Sequence, residues 1–233
     1  MNWTAKPRVG AAVGAAAAPS KPGPAPSSAP LAANHRVSNA LKEFLWLIGD
    51  VPRGRILDLG PVWQATVSFF VDKSYRLSAE DVLRTWKDFL TAEEEKLRTA
   101  PLGHDNGRLS PAALADKFLE NALQYPEKSF HGVLAWDLFD YFDAEAAPRL
   151  VERLTSLVHP GGAVLALFHS RPAERFHRYR IVDAQTIELI PAPTIAVHSR
   201  VFQNRELLGL FEQFRSSKSF VGRDQVREAL YVK

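Results

Sequence analysis

The sequence predicts an α/β fold: a doubly wound, mostly parallel sheet of seven strands, closed by an antiparallel C-terminal hairpin. Short apolar runs bounded by turn residues, at 55–60, 130–138 and 163–170, read as buried strands. Helical periodicities stand between them, so strand, helix and strand alternate as a right-handed crossover requires. The last eighteen residues, "SSKSFVGRDQVREALYVK", read as two strands joined at "GRD".

Residues 10–33 are almost entirely Ala, Gly, Pro and Ser, a composition that buries too little apolar surface to offset the entropy of ordering. They read as the core of a disordered tail, 1–33, ahead of a folded domain, 34–233. A secretory signal is the rival reading, but its apolar core would be Ala and Gly rather than Leu or Phe. With no run long enough for a membrane span, a cytoplasmic location is expected. The chain has no cysteine, which excludes disulfides and thiolate chemistry. Lys6, Arg8 and Lys21 account for the whole net charge of +3, so the body is formally neutral and no nucleic-acid partner is expected. The seven histidines show no paired ligand spacing, and no metal site is expected.

Order is expected from Asn34, as an N-cap, with Val37, Leu41, Phe44, Leu45 and Ile48 at helical spacing. "RILDLG" reads as the first strand and turn, "WQATVSFFVDKS" as a helix, and "YRLSAED" as the next strand. A polar helix follows, then the loop "PLGHDNGRLSP". "ADKFLEN" is the candidate third strand and "SFHGVLAWDLF" the fourth. Asp143 caps a helix that "HPGG" stops before "AVLALFHS". "RYRIVDAQTIELIP" reads as a hairpin or extended edge structure, and Asn204 opens the last helix.

Over most of 36–233 this ordered set resembles the class I S-adenosylmethionine-dependent methyltransferases, a Rossmann-like family. The resemblance is carried by "ILDLG", by "AED" with Asp81 lying 23 residues after Asp58, by "YPEKSFHGVLAWDLFDYF" and by "LVHPGGAVLALF". It implies methyl transfer from S-adenosyl-L-methionine to a small-molecule acceptor. Gly60 would let backbone approach the cofactor, and Asp58 would support the loop and the aminoacyl end. Asp81, or Glu80 beside it, would take the ribose hydroxyls, while Glu120 and Asn121 match the place of an adenine contact. Asp137 and Asp140 fall in the acceptor-side loop, and His169 ends strand five at the same edge. Asp137 and His169 are the candidate catalytic groups.

Two departures stand out. Val62 and Gln64 replace expected glycines, with Pro61 fixing φ between Gly60 and Val62, and His131 stands where the family has an aspartate. A non-catalytic relative with weakened cofactor binding is therefore an alternative. A nicotinamide-dependent oxidoreductase is a more distant one, because it shares the strand, turn and acid. Arg171, Arg175, Arg178 and Arg180, with His169 and His177, allow an anionic acceptor, or simply a solvated hairpin. The sequence is silent on oligomeric state.

Overall fold

Isolated apolar runs such as "RILD" and "GVLAW" are buried on both faces, which only a sheet covered by helices on both sides allows. A computed structural model describes residues 34–100, 109–197, 200–222 and 224–233. The elements are β1 (His35–Val37), α1 (Asn39–Ile48), β2 (Arg55–Asp58), α2 (Gln64–Asp72), β3 (Arg76–Ala79), α3 (Val82–Thr99), α4 (Pro111–Leu119) and β4 (Phe130–Trp136). A 3-10 turn (Leu138–Tyr141) follows, then α5 (Ala146–Leu157), β5 (Val158–His169), β6 (His177–Ile181), β7 (Thr186–Pro191), α6 (Asn204–Leu210), β8 (Ser216–Val221) and β9 (Val226–Val232). The expected tail, 1–33, and most of the loop at 101–111 lie outside the described residues.

The main sheet has six strands in the order β3-β2-β4-β5-β9-β8. The first four are parallel, while β9 runs antiparallel to β5 and β8 to β9. This is the Rossmann-like doubly wound class the sequence predicts. Alternate residues face opposite cores: Leu57, Val133 and Val164 pack towards α3, α4 and α5, and Ile56, Leu134 and Leu165 towards α1, α2 and the hairpin.

Three expectations are corrected. "ADKFLEN" lies largely in α4, not in a third strand, because Ser110 accepts the Ala113 N–H and Pro111 takes the first helical position; the sheet therefore has six strands among the described residues rather than seven. Asn34 caps no helix: residues 35–37 pair with β7, and Ser38 caps α1 by accepting the Leu41 N–H at 3.0 Å. The predicted hairpin does form, as β6 and β7, but joins β1 in a separate antiparallel sheet of order β1-β7-β6. "HPGG" also does not stand clear of the fifth strand, which begins at Val158.

The small sheet is pinned to the main one by a buried ion pair. Arg36, the middle residue of β1, meets Glu228 of β9 at 2.8 Å, and the same carboxylate accepts the Ala40 N–H at the start of α1. α1 lies so close to the sheet that a Cβ on Gly132 would stand 2.4 Å from the Phe44 ring.

Candidate functional site

In an open parallel sheet, a crevice forms where neighbouring strands send their connections to opposite sides. Here β2 leads on to β3 on one side, while β4 lies on its other side, so the crevice falls between the carboxyl ends of β2 and β4. A cleft of about 270 Å3, part of it open to solvent, occupies this position. Leu59, Gly60 and Pro61 line it from the turn after β2, Ala135 to Leu138 from the end of β4 and the turn beyond, Leu83 from α3, and Arg178 and Tyr179 from β6.

Asp58, the last residue of β2, lies beneath the cleft and is buried. Its Oδ1 accepts the Gly60 N–H at 2.9 Å and the Trp136 indole N–H at 2.6 Å. Burial pushes its carboxyl up to about 6, against the two hydrogen bonds, which favour the charged form. A side chain at Gly60 would be tight here: a Cβ would stand 3.0 Å from the indole nitrogen and 3.2 Å from Asp58 Oδ1. The altered residues lie further on, with Val62 exposed and Gln64 forming the first turn of α2, where it donates to Ser68.

Trp136 is the strained residue of the site. Its φ is +50°, left-handed backbone that a bulky side chain rarely adopts, and the β4–β5 register shifts beside it. The strain aims the indole at Asp58 and stacks it on Tyr179, with ring centroids 5.6 Å apart and planes 10° from parallel. Strain of this kind persists only where the surroundings hold it, and it gathers at functional sites.

Asp137 follows directly. It lines the cleft, is buried, and its Oδ2 accepts the Tyr179 O–H at 3.0 Å and the Tyr141 O–H at 3.4 Å. Burial raises this carboxyl also to about 6; nearby His169 opposes the rise and Asp140 adds to it. His169, at the end of β5, lies outside the cleft lining and bonds through Nδ1 to Asp140 Oδ2 at 2.9 Å. Burial disfavours its charge, but the Asp140 hydrogen bond and the charges of Asp137 and Asp140 outweigh burial and raise its pKa.

The remaining predicted residues divide. Asp81 caps α3 through Oδ1 and meets Arg178 through Oδ2 at 2.9 Å, at the mouth of the cleft. Glu80 instead accepts the Leu123 N–H at 3.0 Å, holding the turn after α4. Glu120 and Asn121 are exposed at the end of α4, outside the cleft lining, because the strand expected to present them is a helix. His131 accepts the Arg55 N–H at the opposite end of β4. Among the described residues no three His, Cys, Asp or Glu gather as metal ligands, and no helix is long and apolar enough to cross a membrane.

Sequence reasoning missed the roles of Trp136, Arg178 and Tyr179. The arginine cluster was visible, but Arg178 and Arg180 are spent on Asp81 and Glu188. Alternation within "RYR" is a local signal for a strand, and nothing local says which carboxylates it meets.

No protein-family model matches the sequence, and no curated protein matches it. Among solved structures, the chain is similar to the 1,6-didemethyltoxoflavin-N1-methyltransferase of Burkholderia thailandensis, solved with 1,6-didemethyltoxoflavin and S-adenosylhomocysteine: 15% identity, 83% of this chain and 76% of that one, TM-score 0.43. It is also similar to a glycopeptide N-methyltransferase complexed with S-adenosyl-L-methionine, at 16% identity over 89% of this chain and 99% of that one, TM-score 0.41. A SAM-dependent methyltransferase from Aquifex aeolicus shares 11% identity over 82% and 88% of the two chains, TM-score 0.41. The ligands named are those of the other proteins.

Proposed function

We propose that this chain binds S-adenosyl-L-methionine in the cleft between β2 and β4 and transfers its methyl group to a small-molecule acceptor. The observation that carries the reading is the cleft's place at the carboxyl ends of β2 and β4, with a carboxylate, Asp81, following the neighbouring strand β3. The donor set fits the cofactor. Leu59, Leu83, Ala135 and Leu138 offer apolar walls to a flat ring, and Asp81 offers acceptor oxygens to a ribose diol. Asp58 supports the loop from beneath through the Gly60 N–H, the role the sequence resemblance implies for it.

Bound cofactor supplies the hard chemistry, an activated methyl group on a sulfonium. The chain's own residues align the acceptor, exclude water and receive a proton. Asp137 is the candidate base: it lines the cleft, and with a pKa of about 6 it is ionised at neutral pH yet basic enough to accept a proton from an O–H or N–H acceptor. Tyr179 and Tyr141 hold its Oδ2. His169, outside the lining, acts on Asp137 through its charge rather than by touching the acceptor.

One observation favours a second, non-catalytic reading. The cleft is narrow, because Trp136 fills the space over Gly60 and Arg178 holds Asp81. Thermal unfolding with S-adenosylhomocysteine at a hundred times its dissociation constant separates the readings. Binding adds about 2.7 kcal/mol and raises Tm by several degrees, whereas NADH in a parallel sample leaves it unchanged. No shift with S-adenosylhomocysteine up to millimolar supports the non-catalytic reading; a shift with NADH alone supports an oxidoreductase.

A further inference from the structure

Two adjacent residues of β6 reach across the mouth of the cleft to two carboxylates of the main body. Arg178 Nη2 donates to Asp81 Oδ2 at 2.9 Å, and the Tyr179 O–H donates to Asp137 Oδ2 at 3.0 Å. The carboxylates follow different strands, β3 and β4, so β6 ties together the two sides of the crevice. The Arg178 guanidinium also lies over the Phe176 ring, 5.1 Å from its centroid, and keeps only 14% of its side-chain surface exposed. Two residues beyond Tyr179, the Ile181 N–H donates to buried Thr66 Oγ1 of α2 at 3.0 Å. The strand is thus anchored to α2 at one end and to β7 along its length, while at the mouth of the cleft Arg178 joins it to β3's end by a partly buried ion pair. Nearby Arg180 pairs with Glu188 inside the hairpin itself and makes no such bridge.

We infer that Arg178 is the latch of a strap formed by β6, and that the latch occupies the carboxylate a diol-bearing ligand needs. A ribose diol takes the Asp81 Oδ2 position by exchanging with the guanidinium, so entry opens the strap, and Arg178 selects for ligands whose hydroxyl pair replaces it. A ligand that lacks this pair leaves the latch closed. Asp81 and Arg178 then act as one element: the carboxylate is the binding group, and the guanidinium sets how readily it is reached. The choice of ligand rests on the function proposed above; the latch does not.

Hydrogen exchange without ligand, followed by calorimetric titration with S-adenosylhomocysteine, on wild type, Arg178→Met and Arg180→Met tests both parts. In Arg178→Met the amides of residues 177–180 exchange about tenfold faster and S-adenosylhomocysteine binds up to about tenfold tighter, whereas Arg180→Met leaves affinity at the wild-type value. Unchanged exchange in Arg178→Met overturns the latch. Faster exchange with weaker binding overturns it as well, because Arg178 is then a ligand contact, and so does an equal affinity gain in Arg180→Met. Faster exchange in Arg178→Met with no binding by any of the three proteins upholds the latch and removes the cofactor reading.

Discussion

Trp136→Ala lowers the stability of the fold by about 3–5 kcal/mol, the range for emptying a buried tryptophan site. The indole is 4% exposed, stacks on Tyr179 and supplies one of the two protein hydrogen bonds to Asp58 Oδ1. Alanine removes all of these and leaves the left-handed backbone strained, since it too carries a Cβ. Trp136→Phe separates the contributions. Phenylalanine retains a ring for the stack but lacks the N–H, so it costs about 1–3 kcal/mol, that of a buried acceptor left short of a donor. It also moves the Asp58 carboxyl further upward, because the indole hydrogen bond favours the charged form. Urea unfolding of the variants measures the first effect, and carboxyl titration followed by NMR the second. A loss below about 1 kcal/mol for Trp136→Ala would show that the indole is not packed as described.

The second large effect is a pH dependence. Asp58 and Asp137 have folded pKa values of about 6 against a usual 3.8, so each holds its proton more tightly when folded. The stability this brings is complete below pH 3.8 and is lost as pH rises through 6. Between pH 5 and 7.5 the loss is about 1.4 kcal/mol for each group and about 3 kcal/mol for both. Asparagine cannot ionise, so the stability of Asp58→Asn and of Asp137→Asn, relative to wild type, rises by about 1.4 kcal/mol between those pH values. The double variant gains about twice as much. Comparing each variant with wild type cancels the uncoupled titrations, including the lowered His131 and His177, whereas His169, whose charge acts on Asp137, shifts in Asp137→Asn and leaves Asp58→Asn as the cleaner measurement. A relative stability that stays flat or falls with pH would mean that these carboxyls are not held protonated by burial. Two acids kept in the crevice at such a cost near neutral pH are unlike packing residues, and one of them faces the cleft.

The elements that could be read from sequence are those whose cause is local. β2, β4 and β5 are continuous apolar stretches bounded by Gly, Pro and polar residues, and a sheet buried on both faces needs that pattern. α4 was legible too, since Ser110 and Pro111 are an N-terminal signature, but the short apolar run after them reads equally as a strand. β1 carries no such signal, because three residues gain their conformation from β7, far along the chain. The site divides in the same way. Asp58, Gly60, Asp81 and Asp137 end or follow strands, so their place beside the crevice is legible by position, whereas the contacts of Trp136, Arg178 and Tyr179 depend on the fold of the hairpin over the crevice. Glu120 and Asn121 were placed by a strand that is absent.

Calorimetric titration of wild type and Asp81→Ala with S-adenosylhomocysteine tests the central claim, that the crevice between β2 and β4 is a cofactor site. Asp81 follows β3 whereas the altered loop at Val62 and Gln64 follows β2, so a contact at Asp81 is independent of the missing glycines. Wild type binds, and Asp81→Ala, with its fold intact, binds about 5- to 150-fold more weakly, the equivalent of about 1–3 kcal/mol for a lost hydrogen-bonding partner. Equal binding by the two proteins would contradict the placement of the ribose at Asp81, and no heat from wild type at millimolar ligand would contradict the cofactor site itself.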